Sequence, residues 1–289
     1  MKHLLANAAK LFALWLAMMA GTVLSGILVH PVLPPGKPDG PMSVLPAMML
    51  VNGLGAIVTA ALASRLTLGS LRKFLVLILV IFTVETALSS IESVVFRQFL
   101  GLSLGTLTAI AGAGSIRALV TALVATMLWR RSGERVSPIS VRPVVLLGLI
   151  GLYVALYFTA GMLIAWRSEI VRQYYHAGVG IHLPALFALQ VARGALWAGL
   201  ATVLAVNLRG KTVAVASWTG AAFAVLMAAP LIYPSSFMPW AVRLAHLLEL
   251  SVSNFVFGMT AVILLRGPAR ASLSPVGEVV PQNSRAGGA

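Results

Sequence analysis

LRKFLVLILVIFTVETALSSIESVVFRQFL, residues 71–100, decides the fold. Arg72 and Lys73 precede an apolar run from Phe74 to Phe96, which Arg97 closes. Its length matches the ~20 residues needed to cross a hydrocarbon core ~30 Å thick. Inside lipid a helix satisfies every backbone N–H and C=O within its own segment. The stretch therefore predicts a transmembrane helix, and one that carries two carboxyl groups, Glu85 and Glu92.

Working outward, seven further stretches share this character: Leu11 to Val29, Ser43 to Ser64, Leu102 to Trp129, Val144 to Trp166, Pro184 to Asn207, Thr212 to Tyr233 and Trp240 to Leu265. Composition agrees. Hydrophobic residues make up 59% and charged ones 10%, against about half and about a quarter in a soluble domain. The expected fold is all-α, a polytopic membrane helix bundle with eight transmembrane helices forming one domain over residues 1–265. Residues 266–289 are small, polar and Pro-containing and predict a disordered cytoplasmic tail. The longest connection, Arg167 to Leu183, is too short for a soluble domain, so any activity belongs within or at the edge of the bilayer. Lys2 and Lys10 flank the first run as in a signal peptide, but its length exceeds the about 7–15 residues of an h-region, which predicts an uncleaved helix.

The net charge of +14 would point to nucleic acid in a soluble protein, yet the positions of the charges give a topology instead. With the N-terminus inside, Lys2, Lys10, Arg65, Arg72, Lys73, Arg130, Arg131, Arg135, Arg142, Arg209, Lys211, Arg266, Arg270 and Arg285 are cytoplasmic. Only Lys37, Arg97, Arg167 and Arg172 fall on the other side. This positive-inside bias predicts a cell-membrane protein, of a bacterial inner membrane, with both termini cytoplasmic. The lipid bilayer is its expected partner, and nucleic acid is not. The loop His30 to Pro41, rich in Pro and Gly, predicts an extended outer turn. Tyr174, Tyr175, His176 and His182 in the other outer loop predict an interfacial anchor.

Six charges remain inside the spans: Glu85, Glu92, Arg117, Arg193, Arg243 and Glu249. Each costs roughly 2.5–3.5 kcal/mol at a helix centre, so such residues turn inward and pair. Counting the rise per residue puts Glu85, Arg117, Arg193 and Glu249 roughly 14–18 Å deep, where they are expected to meet. Helical spacing adds neighbours on the same faces: Ser89 between Glu85 and Glu92, Gln190 beside Arg193, and a stripe of Arg243, His246, Glu249 and Ser253, with Asn254 adjoining. Asn52 supplies an amide at comparable depth in the second span. Spans three, four, six and eight are expected to line this polar centre.

Three functions fit such a centre. In a transporter, Arg117 and Arg193 would receive a small polar or anionic solute while Glu85 or Glu249 takes up a proton. In a scaffold, the same four residues would form two buried ion pairs, in a chain that assembles with a membrane partner or with copies of itself. In an intramembrane enzyme acting on a lipid-linked phosphate, Gly112-Ala113-Gly114-Ser115-Ile116-Arg117 would cradle the phosphate, with Glu85, Ser89 and Ser90 as acid or base. These two segments resemble those of undecaprenyl-diphosphate phosphatases, without that family's Pro-Gly start or its second Glu four residues before Glu85.

Short echoes also link spans one to three with six to eight. Ala13-Leu14-Trp15 recurs as Ala195-Leu196-Trp197, and Glu85 with Ser89-Ser90 recurs as Glu249 with Ser253-Asn254. A duplication here would be an inverted repeat, an arrangement found in secondary transporters. No cofactor and no metal site is expected. His246 and Glu249 lie one turn apart, with His30, His176 and His182 as further imidazoles, but this spacing fits a paired His better than a ligand set. The absence of cysteine excludes thiol chemistry, and no GxxxxGK[ST], HExxH or G-x-S-x-G motif is present.

Overall fold

Each apolar stretch folds as helix, and the helices stop where Pro, Gly or charge stops the apolar pattern. In the computed structural model, residues 2–30, 36–130, 141–176 and 183–267 are described. The helices are α1 (Lys2–Val29), α2 (Val44–Arg65), α3 (Ser70–Val95), α4 (Leu104–Leu128), α5 (Pro143–Leu163), the short α6 (Glu169–His176), α7 (Leu183–Asn207), α8 (Thr212–Ala228) and α9 (Trp240–Arg266). Among the described residues, eight helices are long and apolar enough to cross a membrane, which supports a multi-pass membrane protein. The expected tail lies outside the described residues from 268 onward, as do parts of two expected loops, 31–35 and 177–182.

Two span ends tighten locally. α5 passes into a 3₁₀ turn, Ala165–Arg167, and α8 into another, Ala229–Ile232. The second contains Pro230, which lacks the N–H that an α-helix interior requires. α3 runs through a π turn at Thr83–Ala87, where the Leu88 amide donates to the Thr83 carbonyl, five residues back.

The helices group into two sets. α1, α2, α3 and α4 pack on one another, as do α5, α7, α8 and α9; α2 against α8 and the π turn of α3 against α8 join the sets. The tightest crossing is between α8 and α9. A methyl at Gly258 would stand 2.9 Å from the Gly220 Cα, and one at Gly220 would stand 2.6 Å from the Phe255 carbonyl oxygen. Small residues let helix backbones approach where lipid gives no hydrophobic drive to associate. Trp197, Phe223 and Phe257 fill the core beside this crossing, with the Trp197 and Phe223 rings 4.6 Å apart. Leu147, Val213 and Leu248 lie on the outside, as lipid-facing positions require.

Turns at both ends are clipped together across α2 and α8. At the end that holds Lys10, Arg65, Lys73, Arg209 and Arg266, the Thr67 amide donates to the Asn207 carbonyl and the Arg209 amide to the Arg65 carbonyl, each at 3.0 Å. At the opposite end Asp39 and Ser235 exchange backbone bonds at 3.0 and 2.9 Å. The inverted repeat is not shown. α8 and α9 are the most closely packed pair, whereas their counterparts α2 and α3 barely touch.

Candidate functional site

The intramembrane charges sort into two clusters rather than one centre. The first lies within one helix set and joins α1, α2, α3 and α4. Arg117 Nη1 lies 2.9 Å from Glu85 Oε2, and its Nη2 donates to Asn52 Oδ1 at 3.1 Å. The Thr22 hydroxyl donates to the same amide oxygen at 3.0 Å, and Asn52 Nδ2 donates to the Met48 carbonyl at 2.9 Å. Both charged side chains are buried. Gly114 eases the meeting: a methyl there would stand 2.2 Å from Thr86 Oγ1, so with Thr86 in place a glycine lets the π turn lie against α4. Neither Glu85 nor Arg117 lines the cavity beside the second cluster.

The second cluster lies toward the end opposite Arg65 and Arg209. Arg193 on α7 reaches Glu92 Oε2 at 2.7 Å, not Glu249 as depth counting implied. Tyr157 donates to Glu92 Oε1 at 3.2 Å, and Arg193 Nη1 also donates to Gln190 Oε1 at 3.2 Å. Tyr153 donates to that amide oxygen from the α5 side at 3.5 Å. Glu249 instead takes His246: Nδ1 and Oε2 are 2.8 Å apart, and His246 Nε2 lies 3.0 Å from the Tyr175 hydroxyl.

A cavity of about 400 Å³ adjoins this cluster, bounded by α3, α5, α6, α7, α9 and the turn after α3. Glu92, Glu249, His246, Tyr157 and Ser89 give it a polar floor, and Phe96, Phe99, Phe158, Trp166, Tyr175, Met162, Met227 and Met238 form most of its wall. Its volume falls in the range of small-molecule sites, apolar pockets of ~300–1,000 Å³ with a few convergent polar groups. Glu249 Oε1 faces Gly161, where a methyl would stand 3.5 Å away, and has no hydrogen-bond partner among the described residues.

Several expectations change here. Arg243 does not belong to the stripe with Glu249: its guanidinium turns back to the carbonyls of Met238 (3.0 Å), Leu231 (2.7 Å), Tyr233 and Asp39. Three-residue steps each fall short of a full turn, so Arg243 and Glu249, six residues apart, stand about 120° apart around the helix. Glu85 and Glu92, seven apart, would share a face in an ideal helix, but the π turn rotates one against the other. Ser253 donates to the Glu249 carbonyl at 2.7 Å, and the Asn254 side chain is buried with its amide nitrogen unpartnered among the described residues. α4 runs unbroken through Gly112–Arg117, with Ser115 exposed and donating to the Ala111 carbonyl, so no phosphate cradle forms there.

No family model, no curated protein and no solved structure matches the chain.

The residues that sequence reasoning passed over are aromatic. Tyr175 turns inward, stacked with Phe99 and Trp166 at ring separations of 5.7 and 5.9 Å. Burial, and then the nearby Glu92 carboxylate, push its phenol above the ordinary range, so it keeps its O–H beside His246 Nε2. Tyr174 is raised by burial as well. Tyr153, Tyr157 and Gly161 follow each other at four-residue steps in an otherwise apolar helix, and that spacing is a signal for one polar face.

Proposed function

We propose that the protein is a transporter-like membrane protein that admits a small solute to the cavity between α3, α5, α7 and α9, in a cell membrane with its basic end cytoplasmic. The observation that carries this is the cavity itself, with Glu92 and Glu249 on its floor beneath aromatic walls. Intramembrane ionisable groups on a cavity mark a solute or proton path, and a site between two helix sets suits a carrier whose sets rock against each other. The sidedness rests on the bias of Lys and Arg toward one end.

Arg117 and Arg193 are each covered by a carboxylate and buried, which argues against their receiving an anionic solute. A scaffold role is favoured for one part only: Glu85–Arg117 is a closed pair away from the cavity. The chain's lack of cysteine makes the test direct. Ser89→Cys, on the cavity, is expected to react with a membrane-impermeant thiol reagent added from the side opposite the basic end. Ala201→Cys, buried further along α7, is expected to react only from the basic side, when the carrier faces that way. Labelling at neither position would leave the scaffold as the better account.

A further inference from the structure

We infer that the solute is an amphipathic organic cation, one positive charge on an apolar body; this rests on the cavity proposed above as the transport site. Charge balance is the first ground. Glu92 is matched by Arg193 at 2.7 Å. Glu249 has no Arg or Lys partner among the described residues: its Oε2 meets His246 Nδ1 at 2.8 Å, and His246 Nε2 lies 3.0 Å from the Tyr175 hydroxyl. Its Oε1, beside Gly161, has no hydrogen-bond partner among the described residues.

No protein cation competes for that oxygen. Arg193 is 1% exposed and engaged by Glu92, and Arg243 is spent on backbone carbonyls. Phe96, Phe99, Tyr157, Trp166 and Tyr175 line the same space. Aromatic rings attract a desolvated cation over their faces, quaternary ammonium above all. An anion would meet a carboxylate and ring faces of the same sign. The apolar remainder of the wall, including flexible Met227, suits a variable hydrocarbon body.

The test uses the full chain in detergent and three size-matched probes: benzyltriethylammonium, its uncharged all-carbon isostere, and phenylmethanesulfonate. Protection of Ser89→Cys from the thiol reagent is followed alongside tryptophan fluorescence, to which Trp166 contributes. The cation is expected to protect at a concentration about tenfold below the neutral isostere, and the sulfonate not at all. Glu249→Gln, which keeps the side chain's shape, is expected to erase the difference between cation and isostere. Equal protection by cation and isostere, or better protection by the sulfonate, would overturn the charge assignment while leaving the cavity as a binding site. If Ser89→Cys is never labelled, the cavity is closed to water, and both the site and the ligand class fall.

Discussion

Removing the arginine from each ion pair separates the closed pair from the one at the cavity. In Arg117→Met the Glu85 carboxylate, whose side chain is 6% exposed, loses its ion-pair partner and has no other hydrogen bond among the described residues. Breaking a buried pair from one side costs about 3–5 kcal/mol, because the remaining charge stays uncompensated. In Arg193→Met the stranded group is Glu92, 28% exposed and still receiving the Tyr157 hydroxyl at 3.2 Å. Cavity water can complete its shell, so the cost is expected to be that of an imperfectly satisfied polar group, about 1–3 kcal/mol. Adding Glu85→Met to Arg117→Met removes the stranded charge, and stability should return most of the way, since apolar replacement of a buried pair is often neutral. Equilibrium unfolding in mixed micelles, arranged as a double-mutant cycle, measures all of these. Equal costs for the two arginine variants would refute the distinction. So would a Met/Met double variant no more stable than Arg117→Met.

Gly258→Ala should destabilise by about 1–3 kcal/mol through overpacking, with no rescue from any side-chain trimming, because the obstruction at 2.9 Å is the Gly220 backbone; thermal unfolding in detergent checks this. Gly114→Ala meets the Thr86 Oγ1, Cγ2 and Cβ atoms instead, so Thr86→Ala, which leaves the Cβ at 2.8 Å, should recover part of a comparable loss and Thr86→Gly more in the same measurement. Arg243→Gln should expose residues 36–41 to limited proteolysis, because the guanidinium holds the Asp39 carbonyl to those of Leu231 and Tyr233. Tyr175→Phe removes the hydroxyl from His246, and cation protection of Ser89→Cys should weaken several-fold while stability stays nearly unchanged. Because the folded-state pKa of Tyr175 is raised, its contribution is complete below the ordinary phenol range near pH ~10 and fades only above it; an ultraviolet difference titration against Tyr175→Phe should show no phenolate below that range.

The eight spans were legible because each reports itself: apolar length and charged flanks are local properties of the chain. The inward charges were legible for the same reason, and Glu85, Glu92, Arg117, Arg193 and Glu249 all turn from lipid as their cost demands. Their pairing was not. Depth counted along separate helices says which residues share a level but not which faces meet, and Glu249 finds His246 one turn away on its own helix rather than Arg193. The π turn adds a second obstacle, because nothing in Thr83–Ala87 announces the extra residue that re-aims Glu92. The place of Tyr175 on the cavity was not legible, because a tyrosine between two spans carries the same local signal whether it anchors at a headgroup or covers a cavity.

The π turn also gives α3 its position between the two helix sets. Upstream, Glu85 is held by α4 inside a network with α2, and loss of that bond strands a charge that no water reaches. Downstream, Glu92 reaches across to α7, and its other face already meets the cavity. Of the two ion pairs, the second opens at the lower cost, since cavity water can take the place of Arg193 at Glu92. A relative movement of the helix sets would therefore leave α3 with α4 and part it from α7. π turns recur at functional positions in membrane and soluble helices alike. Here the turn converts a seven-residue repeat of carboxylates into one pair closed within a helix set and one that joins the two sets beside the cavity.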